Sequence, residues 1–394
     1  MSTAEAEKNN LCARPCDNAK PLVCYYSFTL ENYATVGPAC ADCLKGNQKA
    51  CRRKGCVTAD GFERAILSIN RQLPGPSIQV CKGDTIIVDV KNHMIDREVT
   101  LHWHGVYQKV TPWMDGVPMV TQCPIPSSTT FRYKFPAMPS GTFFYHSHVG
   151  KKVFMDLVLF IVNRSEALFI FYLSFPESAP AIITHLINNR SFVMPPFPPL
   201  TQSDPIPPDM VCPQDNTVCV DGSNSNSPGA RLCECVNIIQ VQLGQVVEMI
   251  LIDWGTSTFL HPMHLHGTDM FIIEQGSKTK GMDNRAFVTS LQARLAKEGE
   301  KLGSTKPKPT VKDTVTIPPG GYAVVRVHFN NPGFWLCHCH YIFHSDTGMS
   351  MIFQVGTRDD MKKPPPGFPQ CNVFTPKVDP NEYKDIDWED EPTE

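Results

Sequence analysis

The sequence predicts an all-β protein built from two Greek-key β-sandwich domains and a cysteine-rich N-terminal segment. The chain of 394 residues has room for two or three domains, and its 35 prolines with little helical periodicity favour strands joined by long loops. Short runs of alternating apolar and polar residues recur along the chain between turn residues. Seven cysteines crowd the first 57 residues, which sets that segment apart from the rest.

The cysteine-rich segment is assigned to residues 1–57. Its dense cysteines favour disulfides over a zinc site, because no histidine lies within the block. Sixteen cysteines in the whole chain indicate an oxidising compartment, so we expect an extracellular protein. The first six residues carry no signal-peptide pattern, which fits either a leader already removed or an incomplete sequence. The seven cysteines are Cys12, Cys16, Cys24, Cys40, Cys43, Cys51 and Cys56.

The first sandwich domain is assigned to residues 58–165. Alternation on both sides of the turn Lys82-Gly83-Asp84 predicts its opening strands, and the later strands are short. A second strand-like run, Ala167 to Phe175, begins the next region. The predicted strands of the first domain are Ile78–Val80, Thr85–Val90, Thr100–Trp103, Phe131–Phe135, Phe143–His148 and Leu157–Val162.

The second sandwich domain is assigned to residues 236–360, after a linker at 166–235 that includes the start of this domain and a proline-rich strap, Pro195 to Pro213. The polar stretch Ser290 to Leu302 predicts a short surface helix, and residues 361–394 form a tail. The predicted strands are Val246–Asp253, Met270–Glu274, Asp313–Ile317, Ala323–Phe329, Gly333–His340 and Met351–Val355.

Charge and hydropathy exclude several classes of partner. The net charge of -3 gives no attraction to nucleic acid or to acidic membranes. No apolar run reaches the roughly twenty residues that a membrane span needs. The expected partners are therefore small molecules.

The most informative stretch is Trp335-Leu336-Cys337-His338-Cys339-His340, followed by His344 and Met349. A thiolate, two imidazoles and a weak axial thioether are the ligands of an electron-transfer blue copper site. Cys339, His344 and Met349 supply three of these ligands, so one further histidine is required. Since successive strand residues point to opposite faces, a metal at Cys339 would be joined through few bonds to metals held by His338 and His340.

Three more stretches carry the same His-x-His spacing: His102-Trp103-His104, His146-Ser147-His148 and His264-Leu265-His266, the last preceded by His261. Thirteen histidines placed at random would give roughly half of one such pair. The spacing projects both imidazoles from one strand face toward one metal cluster. Ten of the thirteen histidines lie in these motifs and the Cys339 stretch, and His93, His185 and His328 are assigned to loop or ordinary strand positions.

With these four motifs in this order, the chain resembles the multicopper oxidases, and most closely the arthropod laccases. The resemblance implies cupredoxin-like domains and four coppers. It places the type 1 copper on His261, Cys339 and His344 with Met349 axial, and the type 2 copper on His102 and His264. It places the type 3 pair on His104, His146, His148, His266, His338 and His340.

Two acidic residues are candidates for proton transfer. Asp115, in Trp113-Met114-Asp115-Gly116, matches a family position that relays protons to bound oxygen, although Asp before Gly is also common in plain turns. Asp346 is read as a turn residue. The resemblance thus gives Cys339, His338, His340 and Asp115 the catalytic roles.

The chain departs from the arthropod pattern because the middle cupredoxin domain is absent. The outer domains must then meet within one chain or between chains, as in trimeric two-domain laccases, and the sequence leaves both open. In the family Cys123 pairs into the middle domain, so we expect it to lack a partner, and Cys81 with Cys371 is a plausible link. Cys337 is expected in the core rather than on a metal.

The resemblance implies a laccase that oxidises diphenols such as catechols and hydroquinones by single electrons and reduces O2 to water, as in cuticle tanning. A ferroxidase or ascorbate oxidase with the same coppers is the alternative. A catalytically impaired, shortened copper-binding form is the third reading.

Overall fold

The structure, a computed structural model, describes residues 11–149, 168–174, 185–188, 190–213, 233–253, 259–279, 281–298, 308–372 and 374. For residues 168–174, 233, 284 and 298 it describes the backbone alone. Most of the regular elements among these residues are strands and few are helices, which confirms the all-β prediction. The predicted strand Leu157–Val162, residues 299–302 of the predicted helix, and the tail beyond residue 374 lie outside the described residues. No helix in the described ranges is long and apolar enough to cross a bilayer.

The first sandwich pairs a four-stranded sheet with a two-stranded one. The order in the larger sheet is β2-β1-β3-β5, and β4 pairs with β6. The predicted strand Thr85–Val90 is present, but the predicted strand Ile78–Val80 is not. The backbone of Gln79 bonds to the hydroxyl of Tyr26 instead of joining a sheet. The strands are β1 Val23–Ala34, β2 Ala65–Ile69, β3 Thr85–Asn92, β4 Leu101–Trp103, β5 Thr130–Pro136 and β6 Tyr145–Ser147.

The cysteine-rich segment contributes a central strand that the sequence did not predict. Strand β1 runs parallel to β3 over eight residue pairs and antiparallel to β2. Phe28 and Leu30 on this strand are buried in the first core. The segment also contains helix α1, Gln48–Cys51, and a 3-10 helix, Pro38–Lys45. The segment is thus built into the first sandwich.

The second sandwich has a five-stranded and an eight-stranded sheet. The orders are β11-β19-β18-β13-β16 and β10-β9-β8-β7-β12-β17-β14-β15. The strands in the first half are β7 Leu168–Ser174, β8 Leu186–Ile187, β9 Arg190–Phe192, β10 Cys233–Cys235, β11 Ile238–Val241, β12 Val246–Asp253 and β13 His261–Leu265. The others are β14 Met270–Ser277, β15 Thr310–Lys312, β16 Thr314–Ile317, β17 Gly321–His328, β18 Gly333–Cys339 and β19 Ser350–Val355.

Strand β18 divides its side chains between two cores. Trp335, Cys337 and Cys339 lie in the core of the second sandwich. Phe334 and Leu336 lie in the other core, together with residues of the first sandwich. Because alternate residues of a strand point to opposite faces, this one strand joins the two units.

Two helices complete the second unit. Helix α2, Asn284–Glu298, begins before the predicted Ser290 and is not a plain surface helix, because Phe287, Leu291 and Leu295 are buried against strands β12 and β17. Helix α3, Ile342–Asp346, is a single turn that carries His344.

Six disulfides are formed among the described residues, and they correct two predictions. Cys81 pairs with Cys16 and not with Cys371, and Cys123 has a partner, which is Cys371. The bridges Cys40–Cys56 and Cys43–Cys51 confirm disulfides over zinc, while Cys337 and Cys339 are free and buried. The other two bridges are Cys12–Cys24 and Cys212–Cys235.

Candidate metal centres

Two antiparallel strand pairs bring the His-x-His motifs together. Register places His102 opposite His146 on β4 and β6, and His264 opposite His338 on β13 and β18. Directly opposed residues of an antiparallel pair share one face of the sheet. Each pair of strands therefore presents histidines from two different motifs to the same side.

The eight histidines of the four His-x-His motifs converge at the interface of the two sandwiches and fall into three groups. Within each triad the candidate ligand atoms lie within 4.8 Å of one another. One triad is His104, His146 and His340, and another is His148, His266 and His338. The remaining two, His102 and His264, face each other with their Nε2 atoms 3.2 Å apart, and both also lie within 4.8 Å of the candidate ligand atom of His104. Every group contains residues from both sandwiches, and all come from one chain.

Hydrogen bonds to oxygen fix which ring nitrogen is available. Only an N–H can donate to a carbonyl, so the Nδ1 of His102 is protonated toward the carbonyl of Asp115 at 2.7 Å, and the Nδ1 of His264 toward that of Asp313 at 2.9 Å. His146 and His338 donate in the same way to backbone carbonyls at 2.7 and 3.1 Å. In each of these rings the neutral form has a bare Nε2 that is free to bind a metal.

The bare nitrogens point at one another. The Nε2 atoms of His104 and His146 are 2.9 Å apart, and those of His266 and His338 are 3.2 Å apart. Two unprotonated nitrogens have no hydrogen to share, so this convergence is unfavourable unless a cation lies among them. The Nε2 of His148 is buried and has no hydrogen-bond partner in the described part of the chain, and such an atom costs about 1–3 kcal/mol. The donor set therefore fits bound metal.

Burial keeps these imidazoles neutral. It lowers the pKa of His146 to about 3, with a further contribution from His102. Burial also lowers the pKa of His264 to about 4 and, with neighbouring imidazoles adding to it, that of His266 well below its ordinary value. A neutral imidazole is the form that binds a metal, so the groups are ready to do so at neutral pH.

The second kind of site is built around Cys339. The candidate ligand atoms of His261, Cys339 and His344 lie within 4.8 Å of one another, and all three residues are buried. The sulfur of Cys339 is 3.4 Å from Nδ1 of His344. Met349 is fully buried in the same core, and its carbonyl accepts from the N–H of Cys339 at 2.9 Å. Two imidazoles and one thiolate, with a methionine in the same core, match the residue types of a blue-copper site.

Asp115 and Asp313 each accept a hydrogen bond from a histidine that belongs to one of the triads. The carboxylate of Asp115 is fully buried and accepts from Nδ1 of His266 at 2.9 Å. Asp313, on the second sandwich, accepts from Nδ1 of His104 on the first at 3.0 Å. Such a carboxylate orients a ligand ring and makes it more basic.

Neither the role of Asp313 nor the surroundings of His185 can be read from the sequence. Asp313 lies 49 residues from His264, so no spacing rule connects them. His185 precedes strand β8 as an ordinary loop residue would, but its ring is fully buried and stacks on that of His344. His185 is one of three histidines outside the motifs, and nothing else in the sequence sets it apart.

Two cavities reach the histidine groups. One of about 50 Å³ is lined by residues of both triads, among them His148 and His340, and by Asp346. It has room for at least one water-sized molecule. The other is a cleft of about 1610 Å³ in the first sandwich, lined mainly by apolar residues, and it reaches His104 and His146.

Comparison with known proteins returns one family in both halves of the chain. Residues 51–166 and residues 204–359 each match a multicopper oxidase family model. Laccase-1 of Cryptococcus neoformans var. grubii is 48% identical over 101 residues, which are 25% of this chain and 16% of the relative. L-ascorbate oxidase of Cucurbita maxima is 44% identical over 91 residues, 23% of this chain and 16% of the relative. The matched segment thus spans about one sixth of these relatives.

Two solved structures are similar over most of their length. The crystal structure of Fet3p, a multicopper oxidase that functions in iron import, has a TM-score of 0.56 at 14% identity and covers 84% of this chain and 90% of its own. The laccase from Botrytis aclada has a TM-score of 0.51 at 17% identity, with 88% and 90% covered. At such identities the likeness concerns the fold.

Proposed function

Because this chain belongs to the multicopper oxidase family, we propose that it is a laccase-type oxidase that removes single electrons from diphenols and reduces O2 to water. The observation that carries the proposal is the position of Cys339 between His338 and His340. Its sulfur belongs to one candidate site, and the neighbouring imidazoles belong to two triads. Electrons taken up at the Cys339 site then have a path of a few covalent bonds to the two triads.

We assign the type 1 copper to His261, Cys339 and His344 with Met349 axial. The type 2 copper is assigned to His102 and His264, and the type 3 pair to the two triads. The two triads and the close approach of His102 to His264 support this assignment, with His104 near both its own triad and that pair. Copper bound at these sites would supply one-electron oxidation at Cys339 and four-electron reduction of O2 at the histidine groups.

His344 is the residue that we expect to take up the electron from substrate. Its side chain is 6% exposed, against 1% for His261, so it is the nearer of the two to solvent. The residues beside it form an apolar rim, with Phe259 60% exposed, Phe343 56% and Leu260 36%. A flat aromatic ring can pack on such a rim, whereas a hydrated ferrous ion gains nothing from it. The rim therefore favours a diphenol.

Asp115 is the proposed proton relay. Its carboxylate contacts His266 of one triad and lies 3.3 Å from Nδ1 of His102 at the proposed type 2 site. A buried carboxylate in that position lies one imidazole ring away from the Nε2 atoms that would hold copper, close enough to supply a proton to the histidine groups. Its proximity to both groups supports this role over that of a plain turn residue.

A ferroxidase or an ascorbate oxidase is the second candidate function. The matched segment of a plant L-ascorbate oxidase is nearly as similar as that of the fungal laccase. The third candidate, an impaired shortened form without the middle domain, is opposed by the convergence of all the ligand groups within one chain. We further propose an extracellular location, which the disulfides support, and a role in cuticle tanning rests on the arthropod resemblance alone.

The test is copper reconstitution of the full chain followed by oxygen consumption with a catechol, with ascorbate and with ferrous iron. We expect a blue absorption band and oxygen uptake that is fastest with the catechol. The variant Cys339→Ser should lose both, and Cys337→Ala, which removes the other buried thiol two residues away, should keep both. Faster turnover of ascorbate or iron would favour the second candidate. Copper uptake without any oxygen consumption would favour the third.

A further inference from the structure

His185 is a histidine outside the ligand groups that lies directly on one of them. Its ring centroid is 4.0 Å from that of His344, and the two planes differ by only 22°. His185 is fully buried although it immediately precedes the short strand β8. A buried imidazole stacked on a candidate metal ligand calls for an explanation beyond packing.

The ring of His185 is held in place by a hydroxyl of the metal-site loop. Its Nδ1 lies 2.5 Å from Oγ1 of Thr347. The hydroxyl hydrogen of Thr347 points to the carbonyl of Phe343, at 2.6 Å. Oγ1 therefore accepts from His185, whose Nδ1 carries the hydrogen. This bond fixes both the tautomer and the plane of the ring.

The backbone around His185 is hydrogen-bonded to the same loop. The N–H of His185 donates to the carbonyl of Thr347 and that of Phe192 to the carbonyl of Gly348, both at 3.0 Å. Gly348 has a φ of +114°, and a Cβ there would come within 2.2 Å of Oγ of Ser191. The hairpin of β8 and β9 is thus fitted closely against the turn between His344 and Met349.

We propose that His185 is a positioning residue that holds the imidazole of His344 in the orientation that bonds the metal at Cys339, and that shields one face of that ring. This inference rests on the proposed function, since it takes His344 as a type 1 ligand. His185 lies beside the site and is not counted among its ligands, because its Nδ1 bonds to Thr347 and its ring lies face to face with that of His344. Among the described residues it does not join the group of His261, Cys339 and His344.

The stack is expected to matter because ligand orientation sets metal affinity. Partners that orient a ligand typically contribute 10–100-fold to affinity or activity. His344 is on a single helical turn next to a loop, so its own element does little to fix its ring. The fixed face of His185 supplies the missing constraint.

The experiment compares His185→Ala, His185→Phe and the unchanged protein, with His93→Ala as the control at an exposed histidine far from the site. The readouts are the blue band, the electron paramagnetic resonance spectrum and the affinity for the type 1 copper, with the melting temperature of the metal-free protein as a check on folding. We expect His185→Ala to weaken that affinity by about tenfold and to change both spectra. His185→Phe, which keeps an aromatic face but loses the bond to Thr347, should restore them in part.

Unchanged spectra and affinity in His185→Ala would overturn the proposal. A defect in His185→Phe as large as in His185→Ala would also overturn it, because the ring face would then not be what counts. If the unchanged protein itself showed no blue band, the proposed function and this inference would both fall. The blue band of the unchanged protein therefore separates failure of the proposed function from failure of this inference alone.

Discussion

One aspartate at the interface bonds to two histidines, through its side chain and through its backbone. The side chain of Asp313 bonds to Nδ1 of His104, while its backbone carbonyl bonds to Nδ1 of His264. The first ring belongs to a triad and the second to the His102 pair, so one residue orients ligands in two groups and ties the two sandwiches together. Its side chain is 25% exposed, which leaves it in contact with solvent.

Asp84 fastens the cysteine-rich segment to the first sheet. Its buried carboxylate accepts from Arg14 at 2.7 and 2.8 Å and from the N–H groups of Leu22 and Cys81 at 2.7 and 2.8 Å. Burial alone would raise the pKa of Asp84, but these hydrogen bonds outweigh it and lower the pKa from 3.8. The ionised form is therefore the one that stabilises the fold.

We predict that Asp84→Asn destabilises the protein at neutral pH and that the effect fades in acid. Because the pKa is lowered on folding, the stabilisation is complete above about pH 4 and is lost as the pH falls through the lowered value. Urea unfolding at pH 7 and at pH 3 measures this, with the exposed Asp17→Asn as the control. An equal difference between variant and unchanged protein at both pH values would contradict the prediction.

At the scale of elements, strand β18 does the most for the site. The alternation of Trp335, Cys337 and Cys339 against Phe334, Leu336 and His338 was readable in the sequence, and the structure places the two sets in different surroundings. The core position expected for Cys337 follows from the same alternation and is confirmed. The two faces of such a strand can be predicted from the sequence, because successive side chains of a strand point to opposite faces.

The elements that sequence reasoning missed depend on long-range pairing. Strand β1 was missed because it lies in the cysteine-rich segment and carries Cys24, although apolar and polar residues alternate around Phe28 in the usual way. The link Cys123–Cys371 joins residues 248 positions apart, and nothing local specifies such a partner. His185 and Asp313 were missed for the same reason, because their function depends on neighbours that only the fold supplies.

Helix α2 gives the prediction that belongs to this scale. Leu291 is 3% exposed and packs with Phe287 and Leu295 against the eight-stranded sheet. We expect Leu291→Ala to lower the free energy of unfolding by about 2–4 kcal/mol, because the cavity it leaves cannot fully collapse. The control is Thr289→Ala on the exposed face, with an effect within about 0.5 kcal/mol. Equal effects of the two substitutions in chemical denaturation would mean that the helix is not packed as described.

For the whole molecule, the main result is that the two sandwiches meet within one chain. The sequence left open whether they pair within or between subunits. The first core includes Val236, Ile238 and Ile352 from the second unit, so apolar burial continues across the interface. The bridge Cys123–Cys371 adds a covalent link, worth about 3–5 kcal/mol for so long a loop. No second subunit is needed to complete the histidine groups.

We propose that one chain holds a complete set of copper sites. The measurement is the copper content of the reconstituted monomer fraction, with its mass in solution determined on the same sample. We predict about four copper ions per chain in the monomer. A monomer that holds only one copper, with full loading confined to oligomers, would show that the sites are completed between chains and would contradict this account.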